Sequence, residues 1–559
     1  MADIHLGNAD NIYVQPVAEK DQWNNVYGDD GNDSIKLYQG TAIGGKGNDR
    51  FEKIVIADQP WRELQVAYWS AGANLKVNLA EGWADDGEGG RDTLIGITKI
   101  HGSNGANAWI QGDANDNYYW PNGGVDTYLG GAGIDGISIN SWFEPVPGQP
   151  WRQPLFADIN IVVSVDGRNA TVTPKIGNAF LMTLTDVEYF DAQVVTDGPW
   201  TKFFFADFIT PQSMAEQAIA AGGGLRWNAA QPMGTATTLS YSFVTSAPAG
   251  GVGAAGFRAF TAAEQQVVRD ILAKTAALAN LTFNEVTEVG ATVGQLRFGV
   301  SQQAATKGVS WLPGQVGAGD QSGDVWMDVE SMLGLAVGSE GHQALLHEIG
   351  HALGLRHPRN VDAGDTWAAQ LRPSDDRSAL SAMAGGVSSD GLFRADWGPL
   401  DVLALRYLYG TRNFNNGDTT YNLGAAQATA QTNLTDDGGI DTINASAYAT
   451  GVNLNLLPGR LSSVGQTNVG FAGVDNLGLT ATTLIENAVG SAYDDVLTGN
   501  DLDNRLTGGL GNDAIDGGKG TDTAAFAGAR ADYELTNSYG TWYVRARDGI
   551  SGFDGLINI

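Results

Sequence analysis

The chain contains no cysteine, and this absence excludes several kinds of chemistry. Disulfide bonds, catalysis by a thiolate and zinc held by cysteine are all ruled out. A chain without cysteine suits a protein that is exported unfolded and folds outside the cell without oxidation. Histidine is also rare, with six copies.

Long apolar runs and positive charge are scarce as well. No run of about 18 uncharged apolar residues occurs, so we predict no membrane insertion. The N-terminal segment from Met1 to His5 has neither a basic flank nor an apolar core, so we expect no secretory signal there. Lysine and arginine number 32 against 63 aspartates and glutamates, a formal charge of −31. This charge repels phosphate, so we expect no nucleic-acid partner.

Glycine, in contrast, is abundant, with 76 copies among 559 residues. Much of the backbone must therefore make repeated tight turns. A chain of this length exceeds one hydrophobic core and, at roughly 150 residues per domain, should hold about three or four structural units.

Near the C-terminus the glycines follow a period of nine residues. The repeats begin at Gly490, Gly499, Gly508 and Gly517, and their sixth places hold Asp495, Asn504, Asp513 and Asp522. Their eighth places hold Leu497, Leu506, Ile515 and Ala524. In such a repeat glycines bend the chain, the sixth-place carboxylate and turn carbonyls bind calcium, and the eighth residue faces the interior of a solenoid.

The same period occurs near the front of the chain. Repeats begin at Ser103, Gly112, Pro121 and Gly130, with Asn117, Asp126 and Asp135 in sixth places and Ile110, Tyr119, Tyr128 and Ile137 in eighth places. Segments 28–33 and 44–49 add two less regular turns, which end in Asp33 and Asp49. The pattern predicts two related β modules around a different middle region.

We therefore expect several structural calcium ions. The candidate ligands are Asp33, Asp49, Asp126, Asp135, Asp495, Asp513 and Asp522. The alternative is that the acids only keep the surface soluble, but their fixed place in the period favours calcium. The repeats resemble those of the RTX exoproteins. This resemblance implies type I secretion from a Gram-negative bacterium and folding on extracellular calcium.

Between about residues 200 and 410 the repeats end and other patterns take over. A capping box at Thr261 and Glu264 predicts the start of an amphipathic helix. Pro399 and Gly410 bracket a second helix. Strands are predicted at 281–286, 295–300 and 324–329. This middle region is therefore an α/β unit.

The middle region also contains the pattern HExxHxxGxxH. His347 and His351 are one helical turn apart, so both can hold the same zinc ion. Gly354 permits the chain to leave the helix, so that His357 can return as a third ligand. Three neutral imidazoles leave one position for water, which is typical of catalytic zinc, and Glu348 can act as the general base.

The other histidines, His5, His101 and His342, lack partners at ligand spacing, and we expect structural roles for them. The motif with Met383, in the segment Ser381 to Ala384, resembles the metzincins with their methionine turn.

Segments 323–326 and 407–410 and the C-terminal repeats extend the resemblance, so that residues 200 to 559 are similar to the serralysins. The resemblance implies a zinc endopeptidase acting on protein or peptide substrates, with Met383 as an apolar floor beneath the ligands. It also implies an edge strand that aligns an extended substrate across the zinc, with Asp324, Val325 and Trp326 as candidates.

Two features depart from the serralysin pattern. Serralysins have a tyrosine two residues past the turn methionine that can stabilise the transition state, but here that place is Gly385. Either catalysis depends on zinc and Glu348 without it, or activity is reduced. The N-terminal module is the second departure. Three roles remain open for it: tethering to a cell surface or polymer, presenting a substrate, or masking the active site.

The two modules can also be compared with each other. Aligned on Leu184 and Leu556, the second module stops earlier than the first. We therefore expect it to lack a final strand and a secretion tail.

The sequence thus predicts a multidomain protein. An α/β metzincin-type catalytic domain, residues 201–410, lies between two calcium-binding parallel β-roll or solenoid modules, residues 1–200 and 411–559. The predicted function is that of a secreted, zinc-dependent endopeptidase with one catalytic zinc. The alternative, motivated by the extensive repeats and Gly385, is a calcium-dependent surface-binding or attachment protein whose peptidase is weak or vestigial.

Overall fold

The computed structural model describes most of the chain. It covers residues 2–559 except 57–58, 60–61, 72–73, 87–89, 104–106, 122, 140–154, 176–179, 194–199, 222–224, 305, 316–320, 360–368, 386–390, 466–472, 539 and 549–551. The chain forms two compact units, Met1–Thr210 and Pro211–Ile559. Among the described residues, no helix is both long and apolar enough to span a membrane.

The described part of the first unit consists of short strands with a few 3₁₀ turns. The strands are β1 (Asp3–His5), β2 (Ile12–Val14), β3 (Asn24–Tyr27), β4 (Ser34–Leu37), β5 (Gly40–Ile43), β6 (Arg50–Lys53), β7 (Leu64–Ala67), β8 (Leu75–Asn78), β9 (Trp83–Asp85), β10 (Arg91–Ile95), β11 (Lys99–His101), β12 (Ala108–Gln111), β13 (Tyr118–Trp120), β14 (Gly124–Leu129), β15 (Gly136–Ser138), β16 (Ile159–Val163), β17 (Asn169–Pro174), β18 (Phe180–Thr185), β19 (Tyr189–Gln193) and β20 (Trp200–Phe204). The 3₁₀ turns are Val17–Glu19, Phe156–Asp158 and Phe205–Phe208.

Two sheets take the strands of this unit almost alternately. One has the order β1-β3-β5-β7-β11-β13-β15-β19-β20, and the other has the order β16-β17-β18-β14-β12-β8-β9-β10-β6-β4-β2. Most neighbours run parallel, as β3 does with β5 and β4 with β6. The chain therefore winds as a parallel solenoid, which is what a nine-residue period favours. The eighth-place residues Ile110, Tyr119, Tyr128 and Ile137 are at most 1% exposed, so they face the interior as predicted.

The second unit contains helices as well as strands. Its helices are α1 (Pro211–Met214), which continues into a π-helical segment (Ala215–Ile219), α2 (Ala262–Leu278), α3 (Glu340–Ala352), α4 (Pro399–Tyr409) and α5 (Ala425–Ala428). Its strands are β21 (Thr237–Phe243), β22 (Leu281–Glu285), β23 (Leu296–Ser301), β24 (Gly308–Ser310), β25 (Asp324–Asp328), β26 (Thr420–Asn422), β27 (Thr432–Leu434), β28 (Thr442–Asn444), β29 (Asn453–Asn455), β30 (Leu461–Ser462), β31 (Leu477–Leu479), β32 (Asn487–Val489), β33 (Val496–Thr498), β34 (Arg505–Thr507), β35 (Ala514–Asp516), β36 (Thr523–Ala524), β37 (Tyr533–Ser538), β38 (Thr541–Ala546) and β39 (Phe553–Ile557). Its 3₁₀ turns are Val252–Ala254, Ser331–Leu333 and Arg530–Asp532.

The N-terminal part of this unit contains a five-stranded sheet of order β22-β21-β23-β25-β24. Within this sheet only β24 runs antiparallel to its neighbour. The predicted strands correspond to β22, β23 and β25 to within one residue. Helix α2 begins with the predicted capping box, in which Thr261 and Glu264 bond each other's backbone N–H. Helix α4 ends at Gly410, whose φ is +91°.

The predicted position of β25 at the edge of this sheet is wrong. Strand β24 pairs with one side of β25 and β23 pairs with the other. Asp324, Val325 and Trp326 therefore lie inside the sheet, and all three are buried. The edge strand β24 has three residues, too few for a pattern to be recognised in the sequence.

The C-terminal part of the second unit is a parallel roll. Strand β33 pairs with β35, and β32 pairs with β34, each two repeats further along the chain. Leu497, Leu506 and Ile515 are at most 1% exposed and belong to one apolar core. The predicted inward direction of these eighth-place residues is therefore correct.

One hydrogen bond recurs in the glycine turns of both units. The Oδ1 atom of a sixth-place carboxylate accepts a bond from a backbone N–H of an earlier turn. The bonds from Asn117 to Asp135 and from Asp495 to Asp513 are 2.7 and 2.9 Å long. Bonds of the same form end on Asp33, Asp49, Asp126, Asp495 and Asp522. All seven aspartates predicted as calcium ligands therefore join one turn to an earlier one.

In some of these carboxylates the other oxygen, Oδ2, has no hydrogen-bond donor beside it among the described residues. Oδ2 of Asp49 and Oδ2 of Asp135 are buried and have no hydrogen-bond partner in the described structure. A Cβ on Gly44 would lie 2.0 Å from the Asp49 oxygen, and a Cβ on Gly130 would lie 2.6 Å from that of Asp135. Each oxygen thus points into space that the glycine leaves open. Calcium takes carboxylate and carbonyl oxygens of this kind, so these turns fit the ion.

Burial also changes the acidity of these groups. It raises the pKa of Asp49, Asp135 and Asp513 from 3.8 to about 7. It raises the pKa of Asp92, the next carboxylate after Asp49 in the same series of bonds, to about 8. Without a cation, the folded turns therefore favour protonated carboxyls.

We predict that the calcium-free protein loses stability as the pH rises from about 4 to about 8. Over this range the folded carboxyls keep protons that the unfolded chain has released, so the free energy of unfolding falls until the folded groups also ionise. Calcium replaces those protons, so it should raise the melting temperature more near pH 8 than near pH 5. Thermal unfolding followed by circular dichroism, with excess chelator or with calcium, measures both effects.

Asp135→Asn and Asp116→Asn form a matched pair for this test. Both carboxylates accept a backbone N–H bond, from Asn117 and Ile134 respectively, but only Asp135 is buried. Asp135→Asn should stabilise the calcium-free protein near pH 8 and reduce the gain from calcium, whereas Asp116→Asn should have much the smaller effect. An equal gain from calcium in both variants and the parent would contradict the calcium assignment.

Candidate metal centre

Helix α3 carries three of the predicted site residues. It begins after Ser339, whose hydroxyl accepts the N–H of His342 at 3.3 Å. His347 and His351 lie one turn apart on the side of the helix that lines a cleft, and Glu348 lies beside them. This arrangement is the one expected for residues four apart in a helix.

The end of α3 turns the chain back toward these residues. Gly354 has a φ of +90°, which other residues rarely adopt, and a Cβ there would lie 2.9 Å from the Leu225 carbonyl oxygen. The Tyr409 hydroxyl donates to the Leu353 carbonyl at 2.7 Å and holds this end of the helix. The chain leaves the helix here, and His357 returns to the cleft.

The three imidazoles converge on one point. Nε2 of His357 lies 3.2 Å from Nε2 of His347 and 3.2 Å from Nε2 of His351. Imidazole nitrogens are about 3.3 Å apart when they bind one tetrahedral zinc ion at about 2.0–2.1 Å. Nδ1 of His347 lies 2.9 Å from the Ala382 oxygen, and Nδ1 of His351 lies 2.8 Å from the Leu355 oxygen.

These contacts also fix the tautomers. A carbonyl oxygen only accepts, so the Nδ1 atoms carry the protons and the Nε2 lone pairs face the common point. Burial, with a smaller contribution from neighbouring imidazoles, lowers the pKa of His347 to about 4 and holds the pKa of His351 well below its usual value. Both rings are therefore neutral near pH 7, as metal ligands must be. The donor set fits one zinc ion.

Glu348 is held by the edge strand. It is 8% exposed, and its Oε2 accepts a bond of 2.7 Å from the Ser310 hydroxyl on β24. Gly308, on the same strand, allows close approach, because a Cβ there would lie 2.7 Å from Cγ of Glu348. Ser310 and Gly308 were not predicted as site residues, since nothing in the sequence indicates that this short strand pairs next to α3.

Met383 lies on the other side of α3. It is fully buried, and a Cβ on Gly350 would lie 2.4 Å from its sulfur. The sulfur thus packs directly against the backbone of the helix that carries the ligands. This is the place expected of an apolar floor.

A buried carboxylate fixes the turn before Met383. Asp401 accepts bonds from the Ser381 hydroxyl at 2.6 Å, the Ala382 N–H at 2.6 Å and the Gly398 N–H at 2.8 Å. Ala382 in turn accepts the proton of His347. Burial raises the pKa of Asp401, and its bonds to Ser381 and Ala382 counter part of that rise. The sequence shows Asp401 only as an acid in the first turn of α4.

The remaining histidines have other surroundings. His342 is buried, with Nδ1 3.2 Å from the Arg394 oxygen. The rings of His5 and His101 stack on Tyr27 and Trp120. Among the residues that the structure describes, the one group of His, Cys, Asp or Glu at metal-ligand spacing is His347, His351 and His357.

The cleft above the imidazoles has a volume of about 410 Å³ and is bordered by β24, α3, Phe393 and Gly385. The N–H of Gly385 donates to Asp376 at 3.2 Å. In the described part of the cleft wall no tyrosine is present. The place where serralysins have their tyrosine therefore presents backbone only.

Comparison with known proteins gives a consistent family resemblance. Residues 407–552 match the family model described as the serralysin C-terminal region of peptidase family M10. Serralysin C of Dickeya chrysanthemi is 33% identical over 306 residues, which cover 48% of this chain and 60% of that protein. Serralysin A of the same organism is 32% identical over 301 residues, with the same coverage.

Metallopeptidase AprA of Pseudomonas marginalis is 32% identical over 296 residues, which cover 47% of this chain and 60% of that protein. The chain thus spans about 60% of the length of these curated relatives. The region that includes the C-terminal roll is similar to serralysins.

We predict that Asp401→Asn weakens zinc binding about 10- to 100-fold. An amide cannot accept all the bonds that the carboxylate accepts, so the Ala382 carbonyl loses its fixed position and His347 loses its orientation. Competition with a chromogenic chelator measures the affinity, and circular dichroism checks folding. Ser381→Ala removes the two bonds of its hydroxyl, to Asp401 and from the Met383 N–H, but leaves the Ala382 N–H bonded to Asp401, so it should have a smaller effect. Unchanged zinc affinity in a folded Asp401→Asn protein would show that the turn holds its own shape.

Proposed function

We propose that this serralysin-like chain is a secreted, zinc-dependent endopeptidase that cleaves extended segments of extracellular or cell-surface proteins. The observation that carries the proposal is the convergence of the Nε2 atoms of His347, His351 and His357 beside the carboxylate of Glu348. Three neutral nitrogen ligands with an open fourth position are the arrangement of catalytic zinc.

Zinc bound at the imidazoles would supply Lewis acidity and a water that is nucleophilic near pH 7. Glu348 takes a proton from the attacking water and delivers it to the leaving nitrogen. Ser310 holds Glu348 in place for both transfers through its bond to Oε2. Asp401 and Ala382 hold His347 in orientation throughout.

The substrate would bind along β24. This strand is the last in its sheet, and its outer side presents backbone N–H and C=O groups next to Glu348. An extended peptide can pair with such an edge, which brings one of its carbonyls to the metal. Backbone pairing of this kind favours unfolded or loop segments over helices. In this proposal β24 takes the substrate-binding role that the sequence suggested for Asp324, Val325 and Trp326.

The oxyanion needs stabilisation without a tyrosine at position 385. Gly385 offers no side chain, so among the described residues the protonated form of Glu348 would stabilise it, together with the positive charge that bound zinc would supply. Serralysins have an additional donor at this place, so a lower turnover than in those enzymes is expected.

Calcium would have a structural role. The open oxygens of Asp49 and Asp135 support calcium ions in the turns of the first unit, and the same bond pattern supports them at Asp495, Asp513 and Asp522. Folding that depends on millimolar calcium would favour the outside of the cell, which agrees with type I secretion as the resemblance implies.

We predict that Glu348→Gln reduces kcat by at least about a hundredfold at full zinc occupancy, because the amide cannot carry the proton. Hydrolysis of a denatured protein substrate and of a short quenched-fluorescence peptide measures the loss, with metal content determined in parallel. Glu285→Gln is a matched control, since this glutamate lies on β22 at the opposite edge of the sheet.

Cleavage at the parental rate by zinc-loaded Glu348→Gln would refute the assigned base. If the parent protein is inert at full zinc occupancy and remains inert when residues 1–200 are removed, the peptidase proposal fails, and the calcium-dependent attachment protein becomes the better account of the chain.

We predict that Ser310→Ala reduces kcat/KM about tenfold at mildly acidic pH and less near pH 8. Without the hydroxyl, the charged form of Glu348 loses a donor, so the acidic limb of the pH–rate profile should move to higher pH. Ser310→Thr retains a hydroxyl and should keep the parental profile. An unchanged limb in Ser310→Ala would show that the bond does not influence the base.

A further inference from the structure

The outer face of the nine-stranded sheet in the first unit is unusually aromatic. Alternate residues of its strands point inward, and Ile100, Tyr119 and Phe190 are at most 1% exposed there. The residues between them point outward. We call one group of outward side chains the aromatic stripe, and its members are Trp69, His101, Trp120, Tyr118, Tyr189 and Phe204.

Each ring of the stripe contacts the next one across the sheet. His101 and Trp120 stack with centroids 4.3 Å apart and planes 4° apart. Trp120 and Tyr118 are 4.4 Å apart, and Tyr118 and Tyr189 are 6.1 Å apart. At the ends, Trp69 meets His101 edge-on at 5.8 Å, and Tyr189 lies 6.3 Å from Phe204. The stripe is therefore continuous across the strands.

A glycine makes this continuity possible. On β15, Gly136 is in register with Tyr118 on one side and with Tyr189 on the other. A Cβ at Gly136 would lie 2.2 Å from Cζ of Tyr189, so the tyrosine ring lies over the glycine. Any side chain here would separate Tyr189 from Tyr118.

Hydrogen-bonding groups lie among the rings. The Tyr118 hydroxyl donates to Asp191 at 2.6 Å, and Nε2 of His101 lies 2.6 Å from the Gln65 oxygen. The Lys202 ammonium lies 3.6 Å from the centre of the Tyr189 ring. Hydrogen-bonding groups thus lie beside three rings of the stripe, His101, Tyr118 and Tyr189.

A structural role alone does not explain this composition. An outward sheet face that only meets water is polar, and contiguous apolar surface on a soluble protein marks an interaction site. Phe204 is 48% exposed, and the other five members are partly exposed. The stripe therefore offers partly exposed aromatic surface to a partner.

The chemistry of the stripe selects one class of partner. Sugar rings have an apolar C–H face that stacks on aromatic rings and hydroxyls at the rim that bond to carboxylates, amides and ammonium groups. Nucleic acids and anionic lipid surfaces are disfavoured by the charge of −31. An extended peptide pairs with the free backbone of an edge strand, and among the described strands that carry the stripe only β20 lies at an edge of the sheet.

The dimensions agree with a polymer. Strands β11, β13, β15, β19 and β20 are consecutive neighbours in the sheet, and at about 4.8 Å per strand they span about 19 Å. This length accommodates several linked sugar rings lying across the strands. We propose that the aromatic stripe binds a polysaccharide chain and anchors the protein to it, independently of the metal centre.

The test uses the full-length protein in calcium. Native gels that contain soluble β-glucan, arabinoxylan or galactomannan, and sedimentation with insoluble chitin, provide four uncharged probes that differ in backbone. The parent should be retarded or sedimented by at least one of them. Trp120→Ala and Tyr189→Ala should weaken that binding by at least about tenfold, because each removes a central stacking surface. Trp120→Phe should retain part of the affinity.

Trp83→Ala is the matched control, because Trp83 is a partly exposed tryptophan of the same unit that lies on the other sheet, beneath Arg91. It should bind like the parent. All variants should keep the parental melting temperature and the parental rate on a short peptide, which separates loss of binding from misfolding and from failure of the peptidase.

Several results would overturn the proposal. They are binding to none of the four polymers, equal binding by the parent and Trp120→Ala, or an equal loss in Trp83→Ala. A dimer of the parent in analytical ultracentrifugation that Trp120→Ala dissociates would show that the stripe binds a second copy of the chain instead.

Discussion

The hydrogen bond between a turn carboxylate and a backbone N–H of an earlier turn is the interaction on which both solenoid regions depend. A glycine-rich turn has few side chains to bury, so its backbone groups must find partners or remain unsatisfied inside the fold. The sixth-place aspartates supply those partners with one oxygen, as Asp135 does for Asn117 and Asp513 does for Asp495. The same bond brings a carboxyl group into the interior at each turn whose sixth place is an aspartate. Fold and cation are therefore coupled through single side chains.

Side chain to backbone hydrogen bonds also position the residues of the metal centre. Each ligand imidazole whose partner is described gives its Nδ1 proton to a backbone carbonyl, and each of those carbonyls belongs to a segment with its own constraint. Leu355 follows the positive-φ residue Gly354, while Ala382 is tied to the buried carboxylate of Asp401. The precision of the site thus comes from backbone groups that are themselves held, and not from packing of the imidazoles alone.

The sequence predicted the parts of this structure that have a period or a fixed spacing. The nine-residue repeat predicted the solenoid and its inward residues, and the spacing of His347, His351, Gly354 and His357 predicted the convergence of the ligands. It could not predict Ser310, Asp401 or the place of β25, because these depend on which strands and turns become neighbours over a long separation in sequence. Strand β24 has three residues, and so short a segment carries no pattern of its own. The ring contact of Tyr118 with Tyr189 depends on the register between strands that are distant in sequence, so the sequence could not predict it either.

The buried carboxylate bonds have a direction along the chain. In each of them the N–H belongs to the earlier residue and the carboxylate to the later one: Asn11 to Asp33, Asp33 to Asp49, Ala108 to Asp126, Val452 to Asp495, and Asp513 to Asp554. A turn is therefore complete only when a later turn has formed against it. Loss of the last turns of a solenoid would therefore leave a buried N–H without its partner in the turn before them.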